Sequence, residues 1–579
     1  MSATKFLKPT VFIQALSILL IIILCCLNFD KLNYIAVLND EFGYWGNAVS
    51  IAGYNWKELI SETPYYAWGY SLWLIPIILI LPTPELWYKA AILLNIFFLI
   101  GSYFFCCGVA KKIFSEIKEN IIYIVSFLVI IYPSNIIYSQ VAWSETLLYF
   151  LMWAATYIMI KLDEKFSYLK SIVLAAILIY MYMVHARSIG IVGVGILCLF
   201  LLLIKNKKPI LNIVLIFGVI ALGYILNNCI KEYQLSELWS NSTVSNMNNI
   251  SLGSNTVLFY FTKIINNLVL LLESLGGKII YSIVGTGAII LISLVQFVKE
   301  EIINIKTKNI FISNNITKIW CIFSFLISWI LCSVQMLSWT DRKDIIVYSR
   351  YMENAMGPIL LLGILYAITK IKETRIALGL ALVILLIGLR SVYWRVLEAE
   401  GYFNSICSPV FGAFYDFFDG DAFKAFLCIA VVCVLIFAII LSASFVKKEF
   451  LKYGLLVGCL LLYFGFLINK GNIYMNEARE NFDSSTVPLK EIILDKYDTQ
   501  EIYYIKNEND LYSVRPKYLQ FAIPDKNIHL IENKRLNNNL DDSLILVNPV
   551  DFESLEKIED KKDVDLILST NQLNLYYIK

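Results

Sequence analysis

A series of long apolar runs constrains this chain more than any other feature. The first covers residues 11–27, the next 86–110, and similar stretches recur as far as 453–468, with short polar segments between them. An α-helix needs about 17–25 apolar residues to cross the ~30 Å hydrocarbon core of a bilayer. Backbone groups find no water there, so each run must pair its own N–H and C=O groups as a helix. The runs are continuous and do not alternate, which excludes an outer-membrane barrel. Only 16% of the 579 residues are charged, against about a quarter in soluble domains. The expected fold is an α-helical polytopic membrane protein.

Basic residues beside spans favour the cytoplasm. The clearest clusters are Lys111-Lys112, Lys161 to Lys165, Lys205 to Lys208, Lys299 to Lys308, Lys370 to Arg375 and Lys447 to Lys452. Placing all of them inside gives about thirteen transmembrane helices: 11–27, 86–110, 120–132, 141–160, 171–184, 189–204, 210–228, 278–298, 319–337, 352–369, 376–391, 423–444 and 453–468. The N-terminus is then cytoplasmic. Lys5 and Lys8 precede the first run and no small-residue cleavage site follows it, so that run reads as a retained helix. Two further apolar stretches must not cross. Residues 66–81 contain Gly69 and Pro76, and 257–275 are interrupted by Lys263, Asn266, Asn267 and Glu273. Both are expected to lie along the interface or to re-enter from outside. The first outer loop then runs from 28 to 85.

After Lys470 the composition becomes polar, which divides the chain into a membrane domain, 1–470, and a tail, 471–579. Short β-branched runs at 502–505, 528–531, 544–547 and 566–568 read as strands. Helices are expected at 512–521 and 551–558, and a last strand at 573–578. This pattern suggests a small extracytoplasmic α/β domain. No glycine-rich phosphate loop follows any strand, so the tail does not read as a nucleotide site. A net charge of +2, with basic residues in loop clusters, gives no sign of nucleic-acid binding. Eleven of the twelve cysteines lie inside apolar runs and no Cys-x-x-Cys pair occurs, so neither a disulfide framework nor a thiolate metal site is expected.

The outer loops hold a limited set of reactive side chains. Asp40-Glu41 follow the first helix, with Trp56, Tyr65, Tyr66, Trp68, Tyr70 and Trp73 nearby. Ser144-Glu145 stand at one helix start, and His185 and Arg187 at the end of another. Asp341, Arg342, Lys343 and Asp344 precede Arg350-Tyr351, and Arg390, Arg395 and Glu398 come later. A carboxylate serves as general base toward a hydroxyl. Arginine pairs with phosphate in bidentate fashion, and cations offset charge on a leaving phosphate. Aromatic rings at the interface stack on sugars or pack against lipid. Each residue also has a plainer reading: a solvated loop pair for Asp40-Glu41, a helix-dipole partner for Glu145, snorkelling ends for Arg187 and Arg350, and packing for His185. Asp40, Glu41 and Glu145 are candidates to share a divalent cation with water ligands, which the sequence does not require.

These motifs resemble the GT-C superfamily of polyprenyl-phosphate-dependent glycosyltransferases, nearest to the aminoarabinose transferase of lipid A and the protein O-mannosyltransferases. Asp40-Glu41 resembles the acidic motif of the first outer loop, and Pro64-Tyr65-Tyr66-Ala67-Trp68-Gly69-Tyr70 the aromatic stretch after it. Ser144-Glu145-Thr146-Leu147 resembles the second outer-loop acid, and Arg187-Ser188-Ile189-Gly190 the basic site that follows a helix end. Ser349-Arg350-Tyr351, with Pro358 beyond it, resembles the basic segment opening a later helix. The resemblance covers residues 11 to about 368. Tyr44-Trp45-Gly46-Asn47 and the tail match no member whose acceptor is identifiable, so no substrate is carried over.

The resemblance implies an inverting glycosyltransferase of a bacterial cell membrane. It would move a sugar from a polyprenyl-phosphate donor to a glycan, lipid or protein of the cell envelope. Asp40, with Glu41 beside it, would correspond to the acid that meets the acceptor; the choice between the two rests on the resemblance. Glu145 would support that acid, or hold a metal with Asp40. Arg187, Arg350 and His185 would bind the donor phosphate, and Tyr65, Tyr66, Tyr70 and Tyr351 would contact substrate. A transporter or flippase, or a polymerase or ligase for lipid-linked glycans, is the alternative. A transporter would show charges within spans and an internal repeat; few such charges and no repeat are visible.

Overall fold

The computed structural model describes residues 9–35, 39–207, 211–239, 254–307, 314–338, 342–498, 500–506, 513–533, 540–560 and 563–579. Among the described residues nine helices are long and apolar enough to cross a membrane, and a bent pair has the length and composition of one more, as a broken span or a re-entrant loop. Shorter apolar helices cover Pro9–Cys25, Ser71–Ile80, Tyr168–Val184 and Met356–Thr369. Large apolar side chains such as Ile80, Ile387 and Leu462 point outward and are more than two-thirds exposed. Such a belt would favour aggregation in water and costs nothing against lipid tails. The chain is a multi-pass membrane protein.

Several expected spans take a different form. Residues 120–132 do not make one straight helix. Glu119–Ile130 ends before Pro133, and Pro133–Ser139 leaves at 60°, because the residue before a proline is pushed out of the helical region. The expected span 278–298 is broken, since Gly287 and Ala288 both have positive φ, +60° and +67°. The chain forms Leu268–Thr286 and Ile289–Lys306 instead. The stretch 257–275, expected to be one interfacial helix, is correspondingly split at Asn267, and its second part opens the helix Leu268–Thr286. In 66–81 the helical part is Ser71–Ile80. Its ten residues reach about 15 Å, half the hydrocarbon thickness.

The helix Glu449–Lys496 has 48 residues and is therefore about 72 Å long. The change of composition at Lys470 falls inside it, so one helix joins the membrane bundle to the tail. The tail is a five-stranded sheet of order β2-β1-β3-β5-β4, with β1 Glu501–Lys506, β2 Ile528–Glu532, β3 Ser543–Val547, β4 Val564–Ser569 and β5 Asn574–Ile578. β1 pairs in parallel with β2 and β3, while β5 runs antiparallel to β3 and β4. Helices Val514–Ala522 and Phe552–Glu559 fill the β1–β2 and β3–β4 connections.

The first of these helices seats the tail on the first loop. Phe521 packs edge-on against Trp45, Trp56, Trp87, Tyr88 and Tyr34. Trp56 Nε1 donates to Pro524 O at 3.0 Å. Lys517 Nζ donates to Asn39 Oδ1 and Glu62 O, both at 3.0 Å. The tail thus braces the loop segment that leads into Asp40.

Candidate active site

Asp40 opens the helix Asp40–Ala52. Asn39, with φ +62° and ψ −54°, turns the chain into it. Two acids in the first turn suit the positive end of the helix dipole. Gly53, at φ +100°, ends the helix with a left-handed cap. Residues Glu41 to Val49 are all buried, so every face of this helix meets protein. At Gly43 a Cβ atom would stand 2.1 Å from Tyr66 Cδ2. Glycine there lets the Tyr66 ring lie on the helix backbone, and its hydroxyl donates to Asp40 Oδ1. Asn47 Nδ2 holds the Tyr66 carbonyl at 3.0 Å.

Arg350 meets the other Asp40 oxygen through Nη1. Its Nε donates to Glu145 Oε1 at 2.5 Å, and Arg187 Nη2 reaches the same oxygen at 2.8 Å. The result is one chain of contacts, Tyr66–Asp40–Arg350–Glu145–Arg187, drawn from four distant segments. The Arg350 guanidinium lies 3.8 Å above the Trp143 ring, and Arg187 lies 4.5 Å above Tyr351. Tyr44 Oη donates to Ser144 Oγ at 2.8 Å, beside Glu145. The turn carrying Arg350 is fixed from behind: the Ser349 and Arg350 N–H groups donate to Cys407 O. Three residues on, the Glu353 carboxylate accepts from Ser134, Tyr138 and Tyr281 hydroxyls.

Two arginines and two carboxylates leave the cluster without net formal charge. Arg350 and Glu145 are nearly sealed, at 4% and 3% side-chain exposure, while Asp40 keeps 20%. The cluster therefore opens at Asp40. Burial works against the Arg350 charge, but Asp40 and Glu145 outweigh it and hold the guanidinium firmly protonated. Burial and then Asp40 raise the Tyr66 hydroxyl well above the usual phenol range, so it stays a donor. Arg187 Nε and Nη1 are buried and have no hydrogen-bond partner.

No family model matches the sequence, and no curated protein matches it. Solved structures do. ArnT from Cupriavidus metallidurans bound to undecaprenyl phosphate aligns at TM-score 0.55 and 10% identity, covering 98% of each chain. The apo form of ArnT aligns at 0.51 and 10% identity over 97% of each. The chain shares the fold of ArnT.

Within this fold the sequence-derived candidates separate. Asp40, Glu145, Arg187 and Arg350 touch one another, with Tyr66 and Tyr351 at their edge. His185 stands beside them, its ring 6.1 Å from Tyr351. Burial, then Arg187 and Arg350, push its pKa well below the usual histidine range. The ring is neutral, and Nδ1 accepts the Arg187 N–H at 3.3 Å. Glu41 turns the other way: fully buried, it accepts from Tyr88 Oη and Ala142 N, both at 2.8 Å. Tyr70 is buried behind Tyr44 and bonded to Asn95. Tyr65 is bonded to Gln234 and packs on Trp239. Asp341 lies outside the described residues, and Arg342 pairs with Asp344. Trp143, Tyr44 and Glu353 belong to the site's frame and were not singled out from sequence, whereas Ser144 was named there beside Glu145. Trp143 alone carried a signal, as the residue two before Glu145.

Proposed function

We propose that this chain transfers a sugar from a polyprenyl-phosphate donor to a hydroxyl of a cell-envelope glycan, lipid or protein, on the extracytoplasmic face. The observation that carries this reading is the Asp40–Arg350–Glu145–Arg187 chain, sealed at Arg350 and Glu145 and open at Asp40, with two Arg187 donors left over. The fold likeness to ArnT, whose structure holds undecaprenyl phosphate, supports the class of donor.

In this reading Arg187 Nε and Nη1 take the donor phosphate, and neutral His185 adds a donor through Nε2. The acceptor hydroxyl approaches Asp40 at the open end. Its oxygen attacks the anomeric carbon and its proton passes to Asp40. The bond from the anomeric carbon to the phosphate oxygen breaks, and the electron pair leaves with the polyprenyl phosphate. Protonation of Asp40 weakens its hold on Arg350, whose charge then turns toward the departing phosphate. Glu145 anchors both arginines throughout.

A divalent cation shared by Asp40 and Glu145 fits this arrangement poorly. The Arg350 guanidinium bridges the two carboxylates and stands where such an ion would sit. Among the described residues no three His, Cys, Asp or Glu side chains gather into a metal-ligand group. No step is routed through a metal.

The test is transfer of labelled sugar from a polyprenyl-phosphate donor by the purified chain in vesicles. Asp40→Asn should lower transfer at least about a hundredfold while the protein still inserts and folds. Movement of the lipid-linked sugar across the bilayer without bond cleavage would instead establish a flippase.

A further inference from the structure

A polar cavity lies between the helices Leu268–Thr286 and Ile371–Glu398, and none of its lining residues belongs to the Asp40 cluster. It has a volume of about 320 Å³ and is lined by Glu273, Arg390, Trp394, Arg395 and Glu398, among others. All but Glu273 belong to the last turns of the helix Ile371–Glu398. Positions 390, 394 and 398 follow one another at the four-residue spacing that puts side chains on one face. The loop after this helix reaches the site, since Cys407 O accepts the Arg350 N–H at 3.2 Å. The cavity is therefore at the same end of the bundle as the site. Directly beside it, and sharing Arg390, an apolar groove of about 280 Å³ runs between this helix and Ala422–Ala443. Leu386, Leu389, Phe426 and Leu427 line it.

The charges here are not all paired. Arg395 Nε and Glu273 Oε2 are 3.7 Å apart, an ion pair too long for a hydrogen bond, and this buried Nε has no hydrogen-bond partner. Arg390 and Glu398 show no hydrogen bond or ion pair among the described residues, and both are exposed. Eight residues separate them, so they stand about 12 Å apart along the helix, with the half-exposed Trp394 between. A lone anion would satisfy Arg390 and be repelled by Glu398. A zwitterion satisfies both. We infer that this cavity binds the headgroup of a zwitterionic phospholipid, with phosphate on Arg390 and Arg395, ammonium on Glu398 and the Trp394 ring, and an acyl chain in the groove. Aromatic and arginine side chains at a helix end also suit the headgroup level of a bilayer.

Native mass spectrometry of the delipidated full chain, offered equal amounts of phosphatidylethanolamine and phosphatidylglycerol, tests this. The ethanolamine lipid should be retained preferentially. Arg390→Gln and Glu398→Gln should each weaken its binding about tenfold, the size of one charge-assisted contact, and Glu398→Gln should also raise retention of phosphatidylglycerol. Both residues are exposed, and unchanged melting would show that the variants fold. Equal retention of the two lipids, or variants that bind as the parent does, would overturn the proposal. So would displacement of the ethanolamine lipid by polyprenyl phosphate, which would give the groove to the donor.

Discussion

Asp40 and Glu41 are adjacent on one helix and serve different regions. Asp40 faces Arg350 and Tyr66, at the open end of the charge cluster. Glu41 faces inward, to Tyr88 and the Ala142 N–H, beneath the aromatic seat of the tail. Successive residues on a helix point about 100° apart, so a two-acid motif at the start of a helix buried from Glu41 to Val49 must divide its work. One carboxylate stays accessible to a substrate; the other ties three elements together. The wider contrast is between a cluster balanced by arginines and a frame held by hydroxyls, backbone amides and aromatic rings.

The sharpest way to break this comparison is to neutralise each acid in turn. Asp40→Asn should lower transfer about 10²–10⁴-fold, the usual contribution of a positioned base, with the protein still folded and inserted. Glu41→Gln should do the reverse: sugar transfer per folded molecule near normal, stability lower by about 1–3 kcal/mol for a buried acceptor made weaker. An inactive but stable Glu41→Gln protein would assign the chemistry to the wrong acid. Arg350→Lys comes next. Lysine keeps the charge and loses the fork that spans Asp40 and Glu145, so kcat should fall about 10²–10³-fold. Full activity in Arg350→Lys would mean that only charge matters there.

The frame has its own test. Phe521→Ala empties the aromatic seat and should cost about 3–5 kcal/mol. Its effect on kcat should be far smaller than that of Asp40→Asn, because the tail braces the loop and, among the described residues, no hydrogen bond or ion pair joins it to the arginine cluster. Comparable losses of kcat at both positions would merge the two regions into one.

The sequence carried the fold through physics that acts locally. Apolar run length located the long helices, and β-branched runs between polar stretches located all five strands. It failed where local order is broken by a few residues: at Pro133, and at Gly287-Ala288, where positive φ divides a run that reads as continuous. For the site, basic-residue bias placed Asp40, Glu145, Arg187 and Arg350 on one side, and the structure brings them into contact. Side of the membrane does not give the facing of a side chain, and so Glu41, Tyr65 and Tyr70 were indistinguishable from Asp40 and Tyr66. The helix offered no amphipathic stripe to decide between them, since every residue from Glu41 to Val49 is buried. Glu353 was invisible for a related reason. Its partners Ser134, Tyr138 and Tyr281 are ordinary helix residues until the fold brings them together.

Glu353 gives the smallest effect and the finest test of the contrast. It lies three residues from Arg350, yet hydroxyl groups surround its carboxylate. Burial raises its pKa, and bonds from Ser134, Tyr138, Tyr281 and Ser349 recover only part of that rise. The folded protein therefore binds this proton more tightly than the unfolded chain, whose value is near 4.5. The stability Glu353 adds is full below about that pH and is lost as pH rises through the folded-state value. Glu353→Gln, which cannot titrate, should lack this slope. Melting curves of the two proteins from pH 4 upward should thus converge or cross as pH increases. A constant difference across the range would mean that Glu353 is charged in both states, and that the hydroxyl-held frame carries a partner charge after all.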